Sequence, residues 1–170
     1  MDIEDYRDRV KRAGILYVDV YPFLTMGGGE PEFLIFKRRD DVPLPSSWQP
    51  ACGKIKKDET IRSAFSRQVC KKTGEQPVEL YRINIVNVFY DDFYDTVMMV
   101  PAAAARLEAR DVQIDPSIHC DHRWVRCEDI EAFLEWPKQV ECIRAIQDFL
   151  LGNRTSSMIQ RLGIGSHQTE

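Results

Sequence analysis

Three polar residues with helical spacing limit the chemistry that this chain can perform. Gln68, Lys71 and Lys72 are spaced i, i+3, i+4, which places them on one face of an α-helix. Carboxylates at such positions could together hold a divalent cation. The two lysines cannot, because a protonated lysine has no lone pair for a metal, and the neutral amide of Gln68 brings no negative charge. This face should therefore repel a divalent cation.

The same cations could instead bind an anion. Arg67, Lys71 and Lys72 could contact phosphate oxygens and supply the positive charge that a metal would bring. The alternative is a solvated helix end, where lysines complement the helix dipole. We expect this face to be accessible to a ligand, because it partly opposes the apolar stripe of the same helix.

Further ligand-binding candidates precede this helix. They are Arg38, Arg39, Trp48, Gln49, Gly53 and Lys54. The two arginines follow a predicted strand and could contact phosphate, although surface ion pairs with 40–41 are an equal alternative. Trp48 and Gln49 could stack on or hydrogen-bond to a nucleobase, and Trp48 could equally cover the core.

Histidine and cysteine residues raise two other possibilities. The run 119–122, His-Cys-Asp-His, with Cys127 nearby, contains residue types that bind zinc. Alternation along a strand sends neighbouring side chains to opposite faces, which disfavours a shared ion. Cys52, Cys70 and His119 would be the reactive groups of a different chemistry, but no adjacent base marks Cys70 as a nucleophile.

Hydrophobic periodicity predicts the elements that position these residues. The predicted strands are Gly14–Thr25, Glu32–Lys37, Leu80–Tyr90, Thr96–Ala103 and His122–Val125. A helix capped by Asp58 or Thr60 should end at Gly74. Two further helices should cover Glu128–Leu134 and Pro137–Leu151.

Prolines predict where regular structure should stop. The segment 42–54 contains three prolines and is predicted to be an irregular loop. Pro101 suggests an edge strand or a strand end. The chain divides into an N-terminal arm (1–13), one domain (14–151) and a C-terminal tail (152–170) that is predicted to be flexible.

Composition indicates a soluble globular protein. The chain has 170 residues, which suits a single domain, and its net charge is −4 with a pI near 5.5, which disfavours nucleic acid as a partner. No apolar run approaches the ~20 residues of a membrane helix. Five cysteines without a regular framework are typical of reduced thiols, so we predict a cytoplasmic protein without membrane association.

The segment 53–75, GKIKKDETIRSAFSRQVCKKTGE, closely resembles the Nudix box, Gly-x5-Glu-x7-Arg-Glu-U-x-Glu-Glu-x-Gly-U, in which U is aliphatic. The matching residues are Gly53, Glu59, Arg67, Val69 and Gly74. The three glutamates after the arginine are replaced by Gln68, Lys71 and Lys72, and the last aliphatic residue by Glu75. Flanking motifs FLIFKRRDD, SWQPACGKI and HRWV extend the resemblance over residues 14–150.

The resemblance implies an α/β protein with the Nudix fold, an α/β/α sandwich around a mixed β-sheet. It looks nearest to members that cleave nucleoside triphosphates. In the family, the residues that match Glu59 and Arg67 support the loop and helix, often through a salt bridge. Such relatives often carry a glutamate before the histidine that corresponds to His119, where this chain has Ile118.

These departures from the box predict a Nudix-fold pseudoenzyme with impaired or absent metal-dependent pyrophosphohydrolase activity. We expect it to bind a nucleotide or another small phosphorylated ligand and to need no cofactor. Alternatively, it is an active hydrolase of nucleoside di- or triphosphates that keeps Glu59 and Arg67 as catalytic residues, or an enzyme of different chemistry on this scaffold. An active enzyme would hold Mg²⁺ or Mn²⁺ through substitute ligands, for which the candidates are Glu59, Asp91, Asp92 and Asp95.

A homodimer is a further hypothesis. The apolar candidates for its contact surface are Pro101 and, in the tail, Met158, Ile159 and Leu162.

Overall fold

The computed structural model of this protein describes residues 14–152 and 159–163. Their β-strands are β1 (Tyr17–Leu24), β2 (Glu32–Arg38), β3 (Trp48–Gln49), β4 (Ala51–Lys54), β5 (Glu79–Asp91), β6 (Thr96–Arg106), β7 (His119–Arg126) and β8 (Ile159–Leu162). Their helices are α1 (Ile61–Thr73), a 3-10 helix (Cys127–Ala132) and α2 (Pro137–Leu150).

The strands form one mixed sheet. Its central order is β3-β2-β1-β6-β5-β8, with β4 paired to β1 and β7 paired to β2. Strands β1 and β6 run parallel, from Asp19 opposite Ala102 to Phe23 opposite Arg106. The other pairs of strands are antiparallel.

One helix covers each face of the sheet. Val18 and Val20 of β1 pack in the core that contains α1, whereas Tyr21 and Phe23 pack in the core that contains α2. All four side chains are buried. Their burial stabilises the fold because it removes apolar surface from water. The α/β/α sandwich with a mixed sheet that the sequence predicts is therefore confirmed.

Both predicted ends of α1 are confirmed. Thr60 caps the first turn, where its Oγ1 accepts a hydrogen bond from Ser63 N–H at 3.1 Å. At the other end Gly74 has φ +73° and donates its N–H to Cys70 O at 2.8 Å. Glycine tolerates this left-handed conformation without steric cost, which explains why the helix stops there.

Two predictions about prolines are wrong. The segment 42–54 contains β3 and β4, which pair with β2 and β1 on either side of Pro50. Pro101 lies inside β6, between β1 and β5, rather than at a strand end or an edge. It is opposite Val86, where β5 shifts register after Ile83, and this bulge accommodates a residue without an N–H.

The prediction of a flexible tail is wrong for 159–162. These residues form β8, antiparallel to β5, with Ile159 opposite Ile83 and Leu162 opposite Leu80. Ile159 is buried in the α2-side core and Leu162 packs against the α1-side core, so the strand is anchored on both faces. The predicted arm 1–13 and the dimer candidate Met158 lie outside the described residues.

Candidate functional site

The loop before α1 is tied to the helix by an ion pair between Glu59 and Arg67. Arg67 donates Nε to Glu59 Oε1 at 2.5 Å and Nη2 to Oε2 at 2.7 Å. Glu59 also accepts the N–H of Lys56 at 2.8 Å, and Arg67 Nη2 donates to Lys54 O at 2.9 Å. The guanidinium lowers the pKa of Glu59 to about 2. The two residues therefore have a scaffolding arrangement, and a carboxylate held in this way is committed to its arginine.

Gln68 occupies the first of the three substituted positions and is buried. Its Nε2 donates to Lys54 O at 3.0 Å. Its amide lies so close to Gly53 that a Cβ added there would be 2.3–2.4 Å from it. Glycine is thus required at position 53 for a close approach between β4 and α1.

Lys72 is 3% exposed, which is unusual for a lysine. Burial is the main cause that lowers its pKa, and the like charges of Lys71 and Arg38 act in the same direction. Cys52 and Asp115 oppose this shift. Among the described residues, no carboxylate forms an ion pair with Lys72.

The expectation that this helix face is accessible is wrong for Gln68 and Lys72, and only Lys71 among the three substituted positions is exposed. The segment between β6 and β7 closes over the end of α1. Gln113 donates its N–H to Thr73 O at 2.9 Å, and Val112 and Ile114 pack against the α1-side core. The segment between β6 and β7 is distant from α1 in the sequence, and it buries residues at the end of α1 that an isolated helix would expose.

His119 lies beside the same helix end and is 1% exposed. Its ring packs on Phe36, with the ring centroids 5.1 Å apart, and its Nε2 is 3.1 Å from Gln49 Nε2. If Gln49 donates through this nitrogen, His119 Nε2 accepts and the ring proton is on Nδ1, which has no hydrogen-bond partner among the described residues. Burial, helped by Lys72 and Arg38, lowers the pKa of His119 to about 4, so the ring is neutral at pH 7.

The structure thus brings Arg38, Lys71 and Lys72 into one group, which we call the cationic cluster. Lys72 is influenced by both other cations, and His119 by Lys72 and Arg38. Lys71 is exposed, Arg38 is half-buried, and Lys72 is buried. The cluster therefore combines an exposed, a half-buried and a buried cation, with Asp115 as its acidic neighbour.

The other predicted ligand-binding residues are placed differently. Arg39 pairs with Asp41 through two hydrogen bonds of 2.7 Å. The ring of Trp48 packs edge-on against Phe133 at 5.5 Å, with the guanidinium of Arg123 5.3 Å from its centre. The ammonium group of Lys54 is 5.8 Å from the centre of the Tyr17 ring.

Two of the substitute metal ligands that the sequence suggests take part in a turn. Asp91 Oδ1 accepts the N–H of Tyr94 at 3.0 Å, and Asp95 Oδ1 accepts the hydroxyl of Tyr90 at 2.8 Å, so both shape the β5–β6 turn. Within residues 14–152 and 159–163, no three His, Cys, Asp or Glu side chains are grouped to hold a metal ion. With an amide, two ammonium groups and a glutamate committed to arginine at the box, the residues present do not fit Mg²⁺ or Mn²⁺.

Sequence reasoning missed Asp19, a carboxyl buried in β1. Burial raises its pKa to about 6, and Gln139 Nε2 donates to its Oδ2 at 3.2 Å. The signal in the sequence that could have revealed it is the position of a single acidic residue between two apolar strand residues, Val18 and Val20. Opposite it lies Cys52, whose pKa burial raises to about 12, so this thiol is not an activated nucleophile.

Comparisons with known proteins agree with this geometry. The family model described as NUDIX domain matches residues 16–146. A Listeria monocytogenes protein assigned as a NUDIX hydrolase is 20% identical with a TM-score of 0.71, and the match covers 82% of this chain and 97% of that one. No curated protein sequence matches this chain.

Two other similar solved structures are described with a nucleotide compound. The NUDIX domain of Shewanella oneidensis NrtR, complexed with ADP ribose, is 18% identical with a TM-score of 0.66, and the match covers 88% of this chain and 99% of that one. A Caenorhabditis elegans Ap4A hydrolase binary complex is 19% identical with a TM-score of 0.67, and the match covers 82% and 99%. At these identities the likeness shows the fold. Because the family model spans most of the described residues, this chain belongs to the NUDIX domain family.

Proposed function

We propose that this Nudix-fold protein binds a phosphorylated ligand, most simply a nucleotide, at the cationic cluster, and that it lacks metal-dependent pyrophosphohydrolase activity. The observation that carries the proposal is the buried ammonium group of Lys72, which has cations as neighbours and no ion-pair partner among the described residues. A buried charge is costly unless it is paired. A ligand phosphate would supply the missing negative charge.

His119 supports an anion at the same place. Among the residues that the structure describes, its buried Nδ1 has no hydrogen-bond partner, and in the tautomer that accepts from Gln49 Nε2 this atom is a donor. Buried donors are normally satisfied, so an orphaned one adjacent to cations suits an acceptor that a ligand brings. Lys71 and Arg38, nearer to solvent, would meet the phosphate first and hold it through charge-assisted hydrogen bonds.

The absence of hydrolysis follows from the donor set. Mg²⁺ or Mn²⁺ would supply Lewis acidity, which withdraws charge from phosphoryl oxygens and makes the phosphorus more susceptible to attack by water. At the box, Gln68 offers a neutral amide whose nitrogen is used by Lys54 O, and Lys71 and Lys72 repel the ion. Loss of one catalytic group commonly costs about 10² to 10⁴ in rate.

The ligand class is inferred from charge and from the relatives. A net charge of −4 favours a small anion held by a local cationic cluster over a nucleic-acid backbone. ADP ribose and Ap4A, named for two proteins of this fold, are both nucleotide compounds that carry more than one phosphate. Five free cysteines fit a reducing compartment and support the cytoplasm as the location. Dimerisation stays a hypothesis. Of its candidate contact residues, Pro101 lies within β6 and is half-buried.

Calorimetric titration with tripolyphosphate, ATP and ADP ribose in excess EDTA tests this function. We expect measurable binding of at least one probe, and Lys71→Gln should weaken it roughly tenfold, since one charge-assisted hydrogen bond is lost. Lys57→Gln removes an equal charge from an exposed loop residue outside the cluster and should leave the affinity unchanged.

Two results would contradict the proposal. The first is binding that appears only when Mg²⁺ or Mn²⁺ is added. The second is cleavage of a nucleotide panel at rates ordinary for enzymes, about 1–10³ s⁻¹. Either result would support the alternative of an active hydrolase with substitute metal ligands.

A further inference from the structure

The outer edge of strand β5 is open along the second half of the strand. Strand β8 pairs with this edge from Leu80 to Ile83, and the register of β5 against β6 shifts directly after Ile83. From Val86 to Asp91 the inner edge of β5 is paired to β6. Of the residues that the structure describes, none pairs with the outer edge of this segment. We call the outer edge of residues 86–91 the open edge.

The sequence of the open edge does not protect it from pairing with another strand. Natural sheet edges are usually kept apart by lysine, by proline, by a bulge or by being very short. Residues 86–91 read Val-Asn-Val-Phe-Tyr-Asp, which contains neither lysine nor proline and consists mainly of β-branched and aromatic residues. The unpaired backbone N–H and C=O groups of such a strand are a template for a further strand.

Apolar side chains on this part of the hairpin are exposed. The exposed fractions are 55% for Val88, 40% for Phe89, 62% for Tyr90 and 84% for Phe93 at the tip. Because full burial of an aromatic side chain removes about 150–250 Å² from water, covering these three aromatic side chains would remove roughly 400 Å². A stable interface buries about 800 Å² per partner, so the aromatic side chains would provide about half of that area and the valines and the strand backbone the rest.

The charges along β5 favour a second copy of the same strand as the partner. Exposed Arg82 lies near the start of β5, whereas Asp91 ends the strand and exposed Asp92 follows it. Antiparallel pairing of two identical strands brings the start of each strand toward the end of the other. Unlike charges would therefore approach each other at both ends of the contact, as a self-complementary interface requires.

Twofold symmetry limits the register of such a contact. Opposite side chains in a ladder share a face of the sheet, so each residue must lie opposite itself or opposite a residue an even number of positions away. With Val88 near the centre of the open edge, Val88 would lie opposite Val88 of the second copy, and Val86 opposite its Tyr90. A β-branched residue opposite an aromatic one is a favourable cross-strand pair.

We propose that this protein forms a twofold homodimer in which the open edges of two β5 strands pair antiparallel around Val88 and join the two sheets into one. The dimer candidate Pro101 lies one strand inside this edge, opposite Val86 on β6, and is not the centre of the contact. The contact involves none of Arg38, Lys71 and Lys72, so it is independent of ligand binding at the cationic cluster.

Analytical ultracentrifugation of the full chain without ligand tests the dimer. We expect a species of twice the chain mass of 19.7 kDa whose fraction rises with concentration. Val88→Lys would place two like charges opposite each other on the twofold axis and should weaken association on the order of 100-fold. The matched control Val97→Lys changes an exposed valine on β6, one strand away from the edge, and should leave association largely unchanged.

Cysteine cross-linking tests the register with substitutions that add no charge. Val88→Cys should form a disulfide-linked dimer on mild oxidation, because directly opposite Cβ atoms lie about 5 Å apart. Val86→Cys alone and Tyr90→Cys alone should not, because the two copies of either residue would be about 13 Å apart along the strands. A mixture of these two variants should cross-link. The unaltered chain, with its five free cysteines, measures the background.

Two kinds of result would overturn the proposal. The first is a chain that stays monomeric at every concentration, and slow hydrogen exchange of the amides in 86–90 of that monomer would show that another part of the same chain covers the edge. The second is a dimer that Val88→Lys leaves intact, or in which Val88→Cys does not cross-link above background. Such a dimer would use another surface.

Discussion

The two halves of the box segment behave differently in this protein. In the first half, Gly53, Glu59 and Arg67 match the family pattern and form the close approach and ion pair that join β4, the loop and α1. In the second half, Gln68 and Lys72 replace carboxylates and are buried. The first half thus forms a packing framework, whereas the second half carries the residues on which the proposed loss of metal binding depends.

This difference shows that the packing of the box segment in this chain does not depend on carboxylates in its second half. The ion pair of Glu59 with Arg67 needs no metal, because each partner satisfies the charge of the other. Gln68 contributes a hydrogen bond to Lys54 O that a carboxylate could not donate. In this chain one substituted position has therefore become part of the framework.

The largest expected loss of stability comes from Gly53→Ala, because this substitution forces the first half of the box segment away from the second. The new Cβ would collide with the buried amide of Gln68, which must either move and lose its bond to Lys54 O or displace β4. We expect a loss of about 3 kcal/mol in the free energy of unfolding, measured by urea denaturation.

A double-mutant cycle with Gln68→Ala isolates this contact. The second substitution removes the colliding group, so Gly53→Ala should cost much less in the Gln68→Ala background. Equal costs in both backgrounds would mean that the two halves are not coupled through this packing.

Glu59→Gln tests the retained half alone. It should destabilise the fold by about 2 kcal/mol at pH 7, because Arg67 loses a charged partner at two hydrogen bonds. The folded-state pKa of Glu59 is lowered from 4.5 to about 2, so its contribution is complete above pH 4.5 and is lost as pH falls toward 2.

The pH dependence provides the control for that variant. Urea denaturation at several values between pH 7 and pH 3 should show the difference between the two proteins shrinking with acidification. A difference that does not change with pH would show that the carboxylate charge is not responsible.

The smallest expected effect on stability has the opposite sign. Lys72→Met should stabilise the fold by roughly 1 kcal/mol at pH 7, because an unpaired buried charge is replaced by an apolar chain of similar length. The same variant should weaken phosphate binding. A residue that costs stability but supports affinity is expected of a functional site.

The gain in stability from Lys72→Met should disappear at alkaline pH. Burial lowers the pKa of Lys72 in the folded state, so the unfolded chain binds more protons between the two pKa values and stability rises with pH there. The advantage of Lys72→Met, measured by thermal unfolding, should therefore fade as pH approaches 10.5, the usual lysine value. If Lys72→Met lowers stability at pH 7, the ammonium group is already compensated within the chain.

Much of the fold could be predicted because its signals are local. Alternation along β1 and the apolar stripe of α1 depend on neighbouring residues, as do the cap at Thr60 and the stop at Gly74. The short strands β3 and β4 could not be predicted, because two- and four-residue segments around Pro50 become strands only when β2 and β1 are beside them. Strand β8 likewise depends on β5.

For the site, the sequence by itself determined which groups face one side of α1, and hence that this face offers one neutral amide and two ammonium groups in place of anionic metal ligands. Helical spacing and side-chain chemistry suffice for that conclusion. Only the tertiary structure decided which of these groups meet solvent. His119 reaches Gln49 across 70 positions of sequence, and the segment that carries Gln113 closes over the end of α1. Burial is a property of contacts between distant parts of the chain, and no local pattern encodes it.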